Sequence, residues 1–329
     1  MIVDRDKCIG CTLCKQDCIV SDIEIIDGKS HIKNETCIKC GHCIAICPVK
    51  AISSDDEEEY SMDDVIEYDK ENFDIDSEKL MNFMRFRRSV RLFKRQDIEE
   101  EKIEKIIQTG KFTQTGGNTQ DVSYVIVKDK LQEVRKMVLE TLNERADELL
   151  LDENTPKQLV TYSYMWKKMY SDFLEDPDGE DRLFFKAPLL IIIKAKRVIN
   201  GALAAAKMEL MADSLGLGTY FSGFLERAVE VNPKIGEFLQ IGQGEELVAC
   251  MVIGYSRVKY KRTVPQWKQL ERWANNNEEY EIDNNREPSG MGGWLEEHMN
   301  VYEHFTTIGS QEKHFEQIDL LIPVKIKNK

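Results

Sequence analysis

Two runs of cysteine near the amino end restrict the fold of this chain more than any other feature. The first run, CIGCTLCKQDCIV, occupies residues 8–20, and the second, CIKCGHCIAICPV, occupies residues 37–49. Together they contain eight of the nine cysteines. Both have the spacing C-x2-C-x2-C-x3-C, in which three thiolates bind one iron–sulfur cubane and the fourth binds the neighbouring cluster. The spacing therefore predicts two [4Fe-4S] clusters with crossed ligation.

Crossed ligation divides the cysteines into two sets of four. The first cluster is predicted to bind Cys8, Cys11, Cys14 and Cys47, and the second Cys37, Cys40, Cys43 and Cys18. The alternative is structural zinc, which takes four thiolates from two C-x2-C pairs. Zinc would leave the spacing of the third and fourth cysteines of each run without a reason. The ninth cysteine, Cys250, lies in the apolar run ELVACMVIGY and is predicted to be an inert core thiol.

Residues 1–52 resemble the bacterial two-cluster ferredoxins, and the doubled cysteine spacing carries the resemblance. One position departs from that pattern, because Ile19 stands where such ferredoxins usually have proline after the fourth cysteine. The second run has Pro48 at the corresponding position. Proline fixes φ, so the backbone leaving Cys18 is expected to differ, although Cys18 remains a ligand. The effect of Ile19 is left open by the sequence.

Length, charge and hydropathy exclude several classes of protein. A chain of 329 residues exceeds what a single core usually organises, so a main domain and a smaller one are expected. The net charge of −14 argues against nucleic acid as a partner. We expect no membrane association, because no run of eighteen apolar residues occurs and the start lacks a secretory signal. A reducing cytoplasm is the expected location, where clustered cysteines usually bind metal.

The acidic residues are concentrated after the cysteine runs. Residues 53–78 carry thirteen Asp or Glu against one Lys. Such a run repels itself, so an extended, solvated linker is predicted, and a docking surface for a basic redox partner is the alternative. The expected segments are a ferredoxin-like domain at 1–52, an acidic linker at 53–79, a larger domain at 80–274 and a C-terminal extension at 275–329.

A cationic segment opens the larger domain. The sequence RRSVRLF, at residues 87–93, places Arg87, Arg88, Ser89 and Arg91 within five residues. Guanidinium groups suit a phosphate because they offer a planar fork of donors. A helix is predicted to follow, with Asp97 as its N-cap and Gly110 at its end.

RRSVRLF resembles the phosphate-binding opening of the nitroreductase family of FMN flavoproteins. Three more segments are similar to later parts of that family, in the same order: TGGNTQDVSYVIV at 115–127, ALAAAKMELMADSLGLGTYFSGF at 202–224 and YKRTVPQWKQLERW at 260–273. The resemblance implies an α+β fold with an antiparallel-rich central sheet flanked by helices. It also implies an intimate homodimer that binds FMN between its subunits, with the Ala-rich helix near 202–206 at the dimer core.

The resemblance assigns roles to individual residues. The phosphate of FMN would be held by Arg87, Ser89 and Arg91, with Arg88 nearby and Lys261 or Arg262 on the other side. Asn118 would meet the edge of the isoalloxazine and Gln120 would support it, although Asn118 could instead be a turn residue of GGN. Backbone from Phe221 through Ser222 to Gly223 would approach flavin N5. Ser222 occupies a place that is often acidic or apolar in the family, which leaves the tuning of N5 open.

The remaining predictions concern substrate contacts and the tail. Helices are predicted near 130–151 and 156–175. Trp166 and Tyr170 in the second are candidate contacts for a flat aromatic substrate, and packing is the alternative. Beyond residue 275, WLEEHMNVYEHF has helical spacing and DLLIPVKI is typical of a strand. Three irregularly spaced histidines are predicted to pack in the tail rather than bind metal: His298, His304 and His314.

The resemblance, together with the doubled cysteine spacing, implies an FMN-dependent oxidoreductase, which we expect in the cytoplasm of an anaerobe. Electrons would pass from a low-potential donor, a ferredoxin or NAD(P)H, through two [4Fe-4S] clusters to FMN and then to an electron-poor acceptor such as a nitroaromatic. One alternative is an enone reductase or reductive dehalogenase of the same fold. Another is an electron-transfer module serving a protein partner. The sequence names neither the acceptor nor the point of electron entry, and no acid–base residue stands out, as expected when the cofactor carries the chemistry.

Overall fold

The computed structural model describes residues 1–265, apart from residues 57 and 59, and the backbone of two short strands nearer the carboxyl end. These residues form two compact units. One contains Met1–Glu153 with Ser163–Lys261, and the other contains Asn154–Tyr162 with the described part of Arg262–Lys329. The boundaries of the four predicted segments stay a prediction. No described helix has both the length and the apolar character needed to cross a lipid bilayer.

The amino-terminal part alternates short strands and short helices. Its elements are β1 (Ile2–Val3), α1 (Leu13–Gln16), β2 (Ile23–Ile26), β3 (Lys29–Ile32), α2 (His42–Ile46) and β4 (Ile52–Ser53). β1 pairs with β4 and β2 pairs with β3, in both cases antiparallel. Five cysteines belong to or pack against its small apolar core. Because a domain of this size seldom folds on apolar burial alone, whatever the cysteines bind is expected to be part of the core.

The acidic run contains local structure of its own. Asp55 accepts a hydrogen bond from the amino-terminal ammonium of Met1 at 2.9 Å, and Tyr60 packs against the amino-terminal core. The helices α3 (Lys70–Phe73) and α4 (Ser77–Phe86) follow. Asp69 and Asp76 cap them by accepting backbone N–H groups of the first turn, and a carboxylate is favourable there. The run is therefore folded in segments and is not extended throughout.

A four-stranded antiparallel sheet organises the larger part. It contains β5 (Val122–Val127), β6 (Leu189–Ala195), β7 (Gly218–Phe221) and β8 (Glu246–Gly254), in the order β5-β6-β8-β7. Each neighbouring pair is antiparallel. β6 is buried at every position, because this central strand is covered on both faces. The predicted α+β class with an antiparallel-rich sheet is confirmed.

Helices cover the sheet on both faces. They are α5 (Glu100–Lys111), α6 (Leu131–Leu151), α7 (Lys157–Glu175), α8 (Val198–Ser214), α9 (Gly223–Val231) and α10 (Pro233–Phe238). α5 and α8 pack against Ile191 and Ile193 of β6, whereas the alternate residue Ile192 points to the other face and is equally buried. α9 contacts β8 and α6. The helices predicted near 130–151 and 156–175 are confirmed as α6 and α7.

The start of α5 differs from the prediction. Glu99, not Asp97, occupies the N-cap position. Its carboxylate accepts a hydrogen bond from the hydroxyl of Tyr255 at 2.5 Å and forms an ion pair with Lys102 at 3.3 Å. These contacts lower the pKa of Glu99 to about 2, with the Tyr255 hydrogen bond as the largest cause. Tyr255 follows β8, far along the chain, so a local capping rule could not find this start.

The second unit contributes one described pair of strands. β9 (Glu281–Ile282) pairs antiparallel with β10 (Val324–Lys325), which lies in the segment predicted as a terminal strand. The predicted helix in WLEEHMNVYEHF and the three tail histidines lie outside the described residues. Most of the 260–273 segment, from residue 266 onward, also lies outside them.

Candidate functional site

The two cysteine runs fold as equivalent loops related by 29 positions. Left-handed backbone occurs at Gly10 and Lys39 (φ 68° and 50°) and again at Thr12 and Gly41 (φ 66° and 76°). Each pair occupies the same place in its run. Gly10 is required sterically, since an ideal Cβ there would lie 2.0 Å from the carbonyl oxygen of Gly28. The shared conformation means that both runs present their cysteines in the same way.

The turn after the fourth cysteine is also shared, despite Ile19. The backbone N–H of Ser21 donates to the carbonyl of Cys18 at 3.0 Å, and that of Lys50 donates to Cys47 at 3.3 Å. Ser21 and Lys50 are both left-handed, with φ of 54° and 50°. The expected difference in backbone at Ile19 is therefore not found. The exposed Ile19 side chain replaces Pro48 without changing the turn, because the hydrogen bond and the left-handed residue close it.

Backbone donors point at several of the cysteine sulfurs. Asp22 N–H lies 3.4 Å from Cys18 Sγ, and Ala51 N–H lies 3.2 Å from Cys47 Sγ. Ser30 N–H lies 3.4 Å from Cys8 Sγ. Hydrogen bonds to sulfur stabilise thiolate ligands and are one of the factors that set the potential of an iron–sulfur cluster. The donors therefore fit thiolate ligation.

One predicted set of ligands surrounds a common cavity. Its empty volume is about 400 Å³, including the part open to solvent, and its lining includes Cys18, Cys37, Cys40 and Cys43. Burial, together with the neighbouring thiols Cys37 and Cys40, raises the pKa of Cys43 to about 11. Thiols that repel one another as anions fit a cationic iron core between them.

The other predicted set combines the first three cysteines of the first run with Cys47, the last cysteine of the second run. Cys8 and Cys14 are buried, Cys47 is half-buried and Cys11 is exposed. Across the described chain, no three His, Cys, Asp or Glu side chains are arranged to share one metal ion. A cubane does not need such an arrangement, because each of its thiolates binds a different iron atom. Cys250 is fully buried, as predicted, and burial raises the pKa of its thiol well above the usual range.

The cationic segment lies alongside β7. Ser89 forms an isolated parallel bridge with Thr219, and the N–H of Val90 donates to the carbonyl of Thr219 at 2.8 Å. The Arg91 guanidinium stacks 5.1 Å from the Tyr220 ring, and that of Arg88 lies 5.8 Å from the Tyr260 ring. The Nε atom of Arg88 is buried without a hydrogen-bond partner among the described residues. An orphaned cationic donor beside other cations is suited to an anion.

Arg87 is paired with a carboxylate that the sequence analysis missed. Its Nη1 donates to Glu209 Oε1 at 2.5 Å, and the hydroxyl of Thr219 also donates to Glu209. A guanidinium has five N–H donors, so this pairing leaves donors for a phosphate. Burial raises the pKa of Glu209, and the charge of Arg87 opposes that rise. The signal for Glu209 was a carboxylate among the buried positions of the Ala-rich helix.

A second carboxylate lies one turn beyond Glu209. Burial, reinforced by the negative charge of Glu209, raises the pKa of Asp213 to about 7. Its Oδ2 atom has no hydrogen-bond partner in the described part of the chain. Asp213 is therefore the group near Arg87 whose charge changes close to neutral pH.

The segment after β7 leaves open space at the predicted N5 position. The N–H of Ser222 donates to the carbonyl of Cys250 at 2.9 Å, and its fully buried hydroxyl lacks a partner among the described residues. An ideal Cβ on Gly223 would meet no atom within 4 Å. Phe221 is half-buried. The open space at Gly223 leaves room for a planar cofactor to approach this backbone, whereas the Ser222 hydroxyl is buried.

Asn118 lies in a loop anchored to the larger part of the chain. Its amide nitrogen donates to the carbonyls of Ile38 and Lys39, both at 2.9 Å. Gln120 donates to the amide oxygen of Asn118 at 2.7 Å. The predicted support of Asn118 by Gln120 thus has a direct contact, whereas the predicted meeting of Asn118 with flavin stays a prediction.

The remaining candidates lie in different surroundings. Trp166 is 1% exposed and packs edge-on against Phe224, with ring centroids 5.6 Å apart. Tyr170 is half-buried. Their role as substrate contacts stays a prediction. Lys261 and Arg262 are exposed at the end of the continuously described chain, and their role at the phosphate likewise stays a prediction.

Comparison with known proteins gives a family match for each part. Residues 84–255, more than half of the chain, match the profile described as the nitroreductase family, and residues 1–48 match a 4Fe-4S dicluster domain. Among curated proteins, the chain is 44% identical over 45 residues to a component of the ion-translocating oxidoreductase complex of Methanosarcina acetivorans. It is 40% identical over 58 residues to a ferredoxin of Pyrobaculum islandicum.

The curated matches are partial on both sides. They cover 14% and 17% of this chain, and 17% and 54% of the two relatives, respectively.

Among solved structures, a Bacteroides fragilis nitroreductase with bound FMN aligns at 18% identity and a TM-score of 0.44, covering 59% of this chain and 98% of that one. An FMN-dependent nitroreductase of Clostridium difficile aligns at 16% identity and a TM-score of 0.45, covering 60% and 100%.

Proposed function

Because the chain belongs to the nitroreductase family, a family of oxidoreductases, and begins with a 4Fe-4S dicluster domain, we propose that it is an FMN-dependent oxidoreductase supplied with electrons by its own clusters. The proposed route runs from a low-potential donor, a ferredoxin or NAD(P)H, through two [4Fe-4S] clusters to FMN. The proposed acceptor is an electron-poor organic compound such as a nitroaromatic. When bound, the clusters supply one-electron steps and FMN supplies reduction of the acceptor by two electrons.

The single observation that carries this proposal is the contact between the two parts of the chain. Asn118, in a flavin-type segment of the nitroreductase part, donates to two carbonyls between Cys37 and Cys40. A cysteine run with metal-ligand spacing thus touches a candidate flavin segment within one compact unit. A separate ferredoxin-like domain on a free tether would not require such a bond.

In this proposal the side chains divide the task of holding the cofactors. The eight cysteines bind the clusters in the crossed sets given above. Arg87, Ser89 and Arg91 bind the FMN phosphate, with Arg88 beside them. Charge-assisted bonds to phosphate are the strong class of hydrogen bond. The proposal has support in the orphaned Nε of Arg88 and the donors of Arg87 that Glu209 leaves available.

Assembly and location belong to the same proposal. The exposed face of α8 carries Ile199, Ala202, Leu203 and Ala206, which supports a homodimer built on this helix. We propose four clusters and two FMN per dimer, in the cytoplasm of an anaerobe. Neither nucleic acid nor a membrane is proposed as a partner.

An electron-transfer module for a protein partner is the second candidate, because the acidic segment exposes apolar side chains. Val65, Ile66, Tyr68 and Ile75 are all exposed among its carboxylates. Small-molecule turnover separates this candidate from the first, since a module that serves a protein would not reduce a panel of organic acceptors.

The test starts with protein purified without oxygen. We expect iron, sulfide and FMN, reduction of FMN by reduced ferredoxin in stopped flow, and reoxidation by one class in a panel of nitro, enone and halogenated compounds. The control is a variant carrying Cys11→Ala and Cys40→Ala. The rate of flavin reduction by NADPH is measured in this variant and in the wild type. Zinc in place of iron, absence of FMN, or equally fast flavin reduction by NADPH without clusters would contradict the proposed route.

A further inference from the structure

One side chain of the nitroreductase part reaches the loop that carries the second set of cysteines. Asn118 Nδ2 lies 2.9 Å from the carbonyl oxygens of both Ile38 and Lys39. These are the two residues between Cys37 and Cys40. A short hydrogen-bonded path therefore joins two predicted cluster ligands to the 115–121 loop.

The orientation of the Asn118 amide is fixed by its neighbour. Gln120 Nε2 donates to Asn118 Oδ1 at 2.7 Å, and Gln120 itself is held by the Thr115 hydroxyl, which accepts from its backbone N–H at 3.0 Å. Because Oδ1 accepts this bond, the amide nitrogen is the atom presented to Ile38 and Lys39. Both donor hydrogens of that nitrogen then have an acceptor.

Backbone conformation on both sides of the contact is unusual. Lys39 and Asn118 are left-handed, with φ of 50° and 53°. Non-glycine residues in this region are uncommon, and such strained residues cluster at functional sites. The left-handed conformation of Lys39 belongs to the cysteine loop itself, since Gly10 has it in the first run, and the side chain of Asn118 contacts the carbonyl of this residue.

The 115–121 loop is also tied to the start of α8. Asp121 accepts from the N–H of Arg197 at 2.9 Å and from Asn200 Nδ2 at 2.6 Å. Asn200 Oδ1 accepts from the N–H of Gly116 at 3.3 Å. Because the loop is anchored in this way, the bond from Asn118 fixes the second cysteine loop against the sheet domain.

We propose that Asn118 is a positioning residue that couples the loop at 37–43 to the flavin segment, so that the second cluster, and not the first, is the point of electron exit toward FMN. This inference rests on the proposed function. Each transfer oxidises the second cluster from the +1 to the +2 state and releases one electron. Two such electrons, supplied originally by the low-potential donor, and two protons from solvent reduce one FMN.

The test asks which cluster lies beside Asn118. Each variant changes the charge beside one cluster, and the potentials of both clusters are measured. Asn118→Asp adds a negative charge at the second loop. Lys29→Gln removes a positive charge at the first, where Lys29 Nζ donates to the carbonyl of Cys8 at 2.5 Å. Either change makes the reduced state less favourable, so each variant should lower the potential of a different cluster in an EPR-monitored titration. We expect about a tenfold shift in the oxidised-to-reduced ratio, or 59 mV for one electron. Asn143→Asp, a half-buried position in α6, is the matched control and should shift neither cluster.

A second variant tests the coupling without adding charge. Asn118→Ala removes both donors, and we expect electron transfer from the pre-reduced clusters to FMN, at saturating FMN, to slow by about tenfold or more while both potentials stay at the wild-type values. The inference is overturned if Asn118→Asp shifts both clusters equally or neither, or if Asn118→Ala transfers electrons at the wild-type rate. Should Asn118→Asp not retain its iron, the rate of Asn118→Ala decides. Wild-type protein whose clusters fail to reduce FMN would instead contradict the proposed function, so the two failures are distinguishable.

Discussion

At the scale of single residues, a half-buried carboxylate of α8 connects stability to pH. Asp213 has a pKa raised to about 7, first by burial and then by the charge of Glu209. Its usual value of 3.8 applies in the unfolded chain. Between these values the folded state binds more protons than the unfolded state, so stability falls as pH rises from about 4 to about 7. Above that window the loss is complete and no longer changes.

Replacing Asp213 with Asn should remove the part of this pH dependence that Asp213 contributes, while Glu226, whose pKa burial also raises to about 7, keeps its own part. Because the Asp213 carboxyl is partly open to solvent, solvent screening reduces the effect. As pH rises from 5 to 8, we expect the free energy of unfolding of the variant to increase by about 1–2 kcal/mol relative to that of the wild type. The measurement is the midpoint of thermal unfolding at several pH values. Glu133→Gln, an exposed position in the first turn of α6, is the control. Parallel pH profiles for wild type and Asp213→Asn would contradict the prediction.

Arg91 allows a separate test of the phosphate assignment. Its guanidinium is exposed and stacks on Tyr220 beside β7. Hydrogen bonds to charged groups contribute about 1.5–3 kcal/mol, so Arg91→Gln should weaken FMN binding by about 10- to 100-fold. Flavin fluorescence during titration of FMN-depleted protein measures the affinity. Arg85→Gln, an exposed arginine in the last turn of α4, should bind FMN as the wild type does. An unchanged affinity in Arg91→Gln would remove Arg91 from the site.

At the scale of elements, the acidic run provides a cover for the second set of cysteines. Tyr60, like Cys37 and Cys43, packs against the amino-terminal core. An ideal Cβ on Gly41 would lie only 2.3 Å from the Tyr60 hydroxyl oxygen, so a larger residue at position 41 would displace the Tyr60 side chain. Burial raises the pKa of Tyr60, and the nearby cysteines add to the rise. The linker thus excludes solvent from this side of the amino-terminal domain.

Truncating that cover should make one cluster labile. In Tyr60→Ala we expect half of the iron to be lost to a chelator roughly tenfold faster than in the wild type, as is typical when an outer-shell partner is removed. The other half should be lost at the wild-type rate. Tyr68→Ala is the matched control, since Tyr68 lies in the same acidic run but is exposed and bonded to Asp74. Loss of all iron at a single faster rate would contradict the assignment of Tyr60 to one cluster.

The elements that the sequence predicted correctly share a local cause. The helices α6 and α7 and the doubled cysteine spacing each depend on neighbouring residues alone. The start of α5 at Glu99, the pairing of Arg87 with Glu209 and the cover by Tyr60 depend on partners distant in the chain. Ile19 shows the converse case, because a turn closed by a local hydrogen bond tolerates the loss of a proline. Spacing predicts which residues share a task, but not the tertiary contacts that orient them.

At the scale of the whole molecule, α8 serves two surfaces at once. Ala204, Ala205 and Met208 face the sheet and are buried. Gly201 lets the helix approach β8 closely, because an ideal Cβ there would lie 2.6 Å from Val248 Cγ2. The opposite face exposes Ile199 and other apolar side chains. The same helix bears Glu209, the partner of Arg87, so the exposed apolar face and the candidate phosphate site share one element.

A charge on the exposed face of α8 should dissociate the proposed dimer and, in the same variant, lower its affinity for FMN. Leu203→Glu places a carboxylate in an apolar surface, and burying it without a partner is strongly unfavourable. We expect sedimentation to show mainly monomer at concentrations where the wild type is expected to be dimeric, with FMN affinity reduced by about tenfold or more because the flavin is proposed to lie between subunits. Val231→Glu, an exposed apolar position at the end of α9, should remain dimeric and retain FMN. Iron content should stay unchanged in both variants, since the cysteine runs are proposed to bind their clusters within one chain. A monomeric Leu203→Glu with wild-type FMN affinity would show that the flavin site is complete in a single subunit.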